Sequence, residues 1–335
     1  MSAIAEEMRV LVRTVWQPQL LALFALCLSA GLVTGCAQFV EGPDVLDFPG
    51  PYVAKSYYDA FPSVSGEVLQ VTVYYPDAPP PPEGWPLIVM SSGWNQARTS
   101  YDAFATQLTE WGYVVVIRFY PSLGYFDWGL ELFDEHIIQS VELVYWCEME
   151  NGDPDSRLYG LVNAYNVGMI GHSMGGNVAI GAAAVEKRVR AVVSLDAQFD
   201  RNDFELGSDP RNLQGPVLYI GSTDGGFCSY PPDFDQRLYD YTPAPTAEVL
   251  IEGADHMDFI QDRAGNGDAG EQVCPTGRAD PTEVRKIAGR YMVAWCNVHL
   301  KGLTEFETYY HGAFSERDEA LGLVRIRGKW LSKSP

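Results

Sequence analysis

Ser173 sits in Gly171-His172-Ser173-Met174-Gly175-Gly176, and a histidine well downstream, His256, sits in Gly253-Ala254-Asp255-His256-Met257. A serine, a histidine and a carboxylate in that chain order have the makings of nucleophilic acyl transfer. The imidazole takes the hydroxyl proton, the carboxylate orients the imidazole, and the serine attacks a carbonyl. The glycines flank a turn between strand and helix so tight that side chains do not fit there. That turn would hold the hydroxyl exposed at a helix N-terminus, where dipole and amides favour negative charge. Of five histidines, His136 and His172 precede the serine, His299 falls on the last helix and His311 in a C-terminal turn, which leaves His256 as base. His172, inside the turn, reads as a packing residue.

Two aspartates compete for the third role. Asp224, in Gly221-Ser222-Thr223-Asp224-Gly225, stands at the usual end-of-strand position and is preferred; Asp196, in Ser194-Leu195-Asp196-Ala197, is the alternative. Asp255 and Asp258 read as capping or exposed. The oxyanion of the tetrahedral intermediate needs two amides. Met174, the residue after the nucleophile, would supply one, and Trp94 in Ser91-Ser92-Gly93-Trp94-Asn95 the other, its indole walling the acyl subsite.

The elements that must position these residues are visible as hydrophobic patterns. Strands are predicted over 52–58, 69–75, 86–90, 113–117, 167–170, 191–195, 216–220 and 247–251, the central ones continuously apolar as strands buried on both faces are. Helical spacing appears over 101–111, 132–147, 175–185 and 284–300. Strands alternating with helices predict an α/β protein, one doubly wound, mostly parallel sheet flanked by helices, in a single domain.

Composition narrows the partners. The 335 residues are 47% hydrophobic and 20% charged, and 23 Lys plus Arg against 44 Asp plus Glu give a net charge of -21. An acidic surface of that size repels phosphate backbones, so no nucleic-acid partner is expected. The N-terminus carries an uncharged apolar run over 20–35 behind Arg9 and Arg13, too short to span a bilayer and laid out as a secretory signal. It ends in Val33-Thr34-Gly35-Cys36, which resembles a bacterial lipobox with Cys36 as the lipidated residue. The expected organisation is a signal peptide over 1–35, a polar Pro/Gly-rich tether over 36–50 and the catalytic domain over 51–335. Membrane contact would be through the lipid anchor alone, at the outer membrane or in the periplasm, with plain secretion as the alternative. Export leaves Cys147, Cys228, Cys274 and Cys296 in an oxidising compartment, where three pairings into two disulfides are open.

Gly50-Pro51-Tyr52, Thr72-Val73-Tyr74-Tyr75-Pro76, Trp111-Gly112-Tyr113-Val114-Val115, the Ser173 turn and Tyr291-Met292-Val293-Ala294-Trp295 together resemble, in order, segments of bacterial cutinase-like polyester hydrolases. These are α/β-hydrolases, with chlorophyllases and platelet-activating-factor acetylhydrolases as more distant relatives. The resemblance implies a serine esterase acting on short to medium acyl esters and on polyesters; acyl-enzyme chemistry of this kind requires no metal and no organic cofactor, and a monomer is expected. A lipase or acetylhydrolase, or a non-catalytic lipoprotein that keeps the fold, is the alternative. It also implies a Cys228–Cys274 bridge between the acid and histidine loops, leaving Cys147 and Cys296 to pair or to stay as buried thiols. Where polyester hydrolases carry a mobile aromatic, this chain has Asp196-Ala197-Gln198, which makes Gln198 the substrate-facing residue there. Leu195-Asp196-Ala197 and His256-Met257-Asp258-Phe259 look more like the acetylhydrolase and chlorophyllase branch, which strengthens the case for Asp196 while Asp224 stays preferred. The Gly- and Asp-rich stretch over 261–281 reads as a rim or lid.

Overall fold

The computed structural model describes residues 44–94, 96–118, 130–197, 210–226, 228–229, 234–261 and 274–330. The expected signal peptide, Cys36 and the first part of the tether lie outside the described residues, as do Gln198 and the middle of the 261–281 loop. Among the described residues no helix is long and apolar enough to cross a membrane.

Among the described residues nine strands form one sheet in the order β1-β2-β4-β3-β5-β6-β7-β8-β9. They are β1 (Ala54–Pro62), β2 (Val68–Pro76), β3 (Trp85–Ser91), β4 (Val114–Arg118), β5 (Val162–His172), β6 (Val189–Leu195), β7 (Val217–Ser222), β8 (Thr246–Ile251) and β9 (Val324–Lys329). From β4 through β3 to β8 all neighbours run parallel, whereas β1, β2 and β9 close the two sides antiparallel. The sheet is therefore the doubly wound α/β sheet expected from the alternation of apolar runs.

Side chains alternate across a strand, and here both faces are covered. Leu87 and Val89 of β3 join one apolar cluster, with helices α2 (Leu130–Gly152) and α3 (Met174–Val185). Ile88 and Met90 join the other, with α1 (Asp102–Glu110) and α5 (Pro281–Lys301). Each large aliphatic side chain buried this way contributes about 1.5–3 kcal/mol, so the continuous apolar run of β3 is the energetic spine of the sheet. Helix α5 starts earlier than its hydrophobic spacing suggests. Asp280 caps it by accepting from the amides of Thr282 and Glu283, Pro281 takes the first helical position, and Gly302 ends it at φ +68°. Cys147 of α2 and Cys296 of α5 are buried thiols on opposite faces of the sheet, which is why they do not pair.

Three features depart from expectation. Residues 44–50 do not behave as a tether: Asp44 caps a 3-10 turn over Val45–Asp47, Leu46 is buried, and the domain begins before residue 51. The Asp44 carboxylate accepts from Tyr309 and from Arg317 Nη2 at 3.1 Å, and Arg290 Nη1 stands 3.6 Å away. Helices α4 (Phe234–Tyr241) and α6 (Ala313–Ala320) also form, beyond the four predicted. Beyond the predicted strands, β9 extends the sheet past β8.

Candidate active site

Ser173 is the hinge between β5 and α3, at φ +56°, a left-handed conformation that costs a non-glycine residue about 1–3 kcal/mol. The turn is held by packing that only glycine allows. A Cβ on Gly171 would stand 1.9 Å from the Gly175 carbonyl oxygen, and one on Gly175 would stand 2.2 Å from that of Ser91. The Ser173 amide donates to Leu195 O at 2.9 Å, so the Ser173 turn is fastened to the end of β6.

His256 reaches the serine from a turn after β8. Its Nε2 lies 3.0 Å from Ser173 Oγ, and its Nδ1 lies 2.7 Å from Asp196 Oδ2. A carboxylate only accepts, so Nδ1 carries the proton, and the bare Nε2 accepts from the serine hydroxyl. Asp255 and Asp258, both buried, form the capping box of this turn: Asp255 Oδ1 accepts from Met257 N at 2.8 Å, and Asp258 Oδ2 from Asp255 N at 2.7 Å. From α5, Arg285 donates to Ile260 O at 2.9 Å.

The preference between the two aspartates is reversed. Asp196, at φ +44° after β6, turns its carboxylate onto His256, while Asp224 faces outward and is bound by Arg278 Nε at 2.6 Å. The Arg278 guanidinium holds the Asp224 carboxyl below its ordinary range. Asp196 is fully buried, which by itself would raise its pKa. Hydrogen bonds from His256, Ser229 and Ser222 outweigh burial and keep the carboxyl below the ordinary range. Ser229 Oγ donates to Asp196 Oδ2 at 2.5 Å, and Ser222 N to Oδ1 at 3.0 Å. Neither serine is suggested by sequence spacing.

His172 does more than pack. Its ring lies 4.7 Å from that of His256, its Nε2 donates to the His256 carbonyl at 3.0 Å, and its Nδ1 accepts from the Tyr101 hydroxyl at 2.8 Å. The Tyr101 oxygen in turn accepts from Gly93 N at 2.9 Å. One neutral imidazole thereby joins the β3 loop, the Ser173 turn and the main chain of His256. Burial pushes its pKa down to about 3, which preserves that donor and acceptor pattern.

Met174 opens α3, so its amide is among the first-turn donors that a helix leaves without an internal acceptor. Trp94, half-buried, follows Gly93 and packs against the cluster beneath α2 and α3. With the Gly93 amide held by Tyr101, Trp94 is the next residue of that loop. Cys228 and Cys274 form a disulfide, and the described end of the 261–281 loop braces the histidine turn. There Gly277 N donates to Asp255 Oδ2 at 2.7 Å, and Arg278 N to Gly253 O at 2.7 Å.

Residues 65–215 match the family model of X-Pro dipeptidyl-peptidases (S15 family), a stretch that holds β2 to β6 with Ser173 and Asp196. That is a serine peptidase family, distinct from the polyester hydrolases whose segments the sequence resembles. The fold and this match together support a serine hydrolase of the α/β-hydrolase superfamily.

Proposed function

We propose that the protein is an exported ester hydrolase that works through a Ser173-His256-Asp196 triad and an acyl-enzyme. The observation that carries the reading is the unbroken line from Ser173 Oγ through His256 to Asp196, with contacts of 3.0 and 2.7 Å. Ser173 attacks the ester carbonyl while His256 Nε2 takes its proton, and Asp196 stabilises the imidazolium that forms. The amides of Met174 and Trp94 hold the oxyanion. His256 returns the proton to the leaving alkoxide, and water then repeats the sequence on the acyl-enzyme. These steps call on side chains and amides of this chain alone.

Short to medium acyl esters and polyester surfaces are the proposed substrates, on the resemblance of five segments to polyester hydrolases. Export, with Cys36 as lipid anchor, is supported by the N-terminal apolar run and by the Cys228–Cys274 disulfide, since such bonds persist in oxidising compartments. The family match favours a second reading, cleavage of a dipeptide ending in proline from a peptide N-terminus.

One experiment separates them: turnover of p-nitrophenyl acetate, butyrate and palmitate against alanyl-prolyl-p-nitroanilide, with Ser173→Ala beside the wild type. The expected result is ester turnover that falls at least about 10³-fold in Ser173→Ala. Preference for the anilide would establish the peptidase reading, preference for palmitate a lipase. A folded wild type that turns over none of them and takes no fluorophosphonate label would remove the catalytic reading.

A further inference from the structure

The carboxylate of Asp196 is held by more than its histidine. Oδ1 accepts from Ser222 N at 3.0 Å and from Ser222 Oγ at 3.2 Å, and Oδ2 accepts from Ser229 Oγ at 2.5 Å and from Ser222 Oγ at 3.1 Å. The two hydroxyl oxygens are themselves 2.5 Å apart. Ser229 is buried, and its place is made by the residues around it. A Cβ on Gly225 would stand 1.6 Å from Ser229 Oγ and 2.5 Å from Ser222 Oγ, so the missing side chain of Gly225 is the space the hydroxyls fill. The turn is closed by Cys228 N donating to Gly225 O at 3.2 Å, and Cys228 is bonded to Cys274.

We infer that Ser229, seated by Gly225 and by the neighbouring disulfide, is a positioning residue for Asp196. Together with Ser222 it holds the carboxylate toward His256 and sets how strongly that carboxylate draws on the imidazole proton. This rests on the triad proposed above. A donor to a carboxylate spreads its charge, and removing the donor leaves a more basic carboxylate that retains the imidazolium proton to higher pH. The other titratable or charged groups about the pair are His172 and Tyr101 on the β5 side, Asp255 and Asp258 in the histidine's own turn, and Arg285 from α5. The variants below change none of them.

The test measures, on the mature chain, the pH dependence of kcat/KM for p-nitrophenyl acetate and of the fluorophosphonate labelling rate. Wild type is compared with Ser229→Ala and with Gly225→Ala, which keeps the hydroxyl but displaces it. Both variants should move the acidic limb of both profiles upward by about 0.5–1 pH unit and lower the plateau about three- to tenfold. Ser229→Thr, which restores a hydroxyl, should move the limb back. If Ser229→Ala fails to fold, Gly225→Ala carries the comparison. Profiles of the folded variants that superimpose on the wild type, whatever their stability, overturn the inference and leave the triad standing. A wild-type Ser173 that takes no label removes both.

Discussion

Exchanging Asp196 for asparagine separates its proposed role from that of Asp224 by an amount the geometry sets. Asparagine offers one acceptor oxygen and an amide donor where Asp196 now accepts from His256 Nδ1, Ser222 and Ser229. With its oxygen kept on the Ser222 amide, its NH₂ faces His256 Nδ1, which must then accept. The imidazole proton moves to Nε2, the atom 3.0 Å from Ser173 Oγ, and the base can no longer take the serine proton. A wrong tautomer of this kind costs about 10³–10⁴-fold in kcat, or about 4–5.5 kcal/mol of barrier. Asp224→Asn weakens a surface ion pair whose Arg278 side chain is 77% exposed, away from His256, so its rate should stay within about twofold of wild type. The assay is kcat/KM for p-nitrophenyl acetate at neutral pH, with circular dichroism to establish folding. Loss of activity in Asp224→Asn equal to that in Asp196→Asn, or an Asp196→Asn enzyme within tenfold of wild type, would refute this reasoning.

Tyr101→Phe should leave the Gly93 amide and His172 Nδ1 without the hydroxyl they share, which costs about 1–3 kcal/mol in urea unfolding and roughly tenfold in kcat, with KM little changed. An unaltered kcat would show that the β3 loop keeps its shape without this bond. Stability should fall on acidification. Burial lowers the pKa of His136 and of His172 from 6.5 to about 3 and that of His299 to about 4. The unfolded chain therefore binds more protons than the folded one below about pH 6.5, and stability is lost as pH falls from there toward about 4 for His299 and about 3 for His136 and His172. Between pH 7 and pH 5 the loss is about 2 kcal/mol for each histidine, so a chain equally stable at both would contradict it.

The nucleophile turn and the strands around it were legible because their signals are local: a glycine-flanked serine after an apolar run, and runs apolar enough to be buried on both faces. The choice of aspartate was not. Leu195 and Ile220 are paired on adjacent strands, so both carboxylates follow strand ends that lie side by side. What decides between them is the φ of +44° that turns Asp196 inward and the Arg278 guanidinium that holds Asp224 outward. The same limit explains 44–50. Their Pro/Gly-rich composition reads as tether, while the residues that bury Asp44 are Arg290, Tyr309 and Arg317, far along the chain. Strand β9 is different, since Val324-Arg325-Ile326-Arg327 alternates and was open to reading. Gln198 as a substrate-facing residue and Cys36 as a lipid anchor lie outside the described residues and remain proposals.

The contact between Asp196 and Ser222 bears on how such a site can change over generations. The two residues follow or end neighbouring parallel strands and touch through the Ser222 amide and hydroxyl, so a carboxylate introduced at residue 222 would arise beside that of Asp196. The acid's place is thus one that a neighbouring strand end also borders, while the serine turn is locked by Gly171 and Gly175 against their neighbours' backbone.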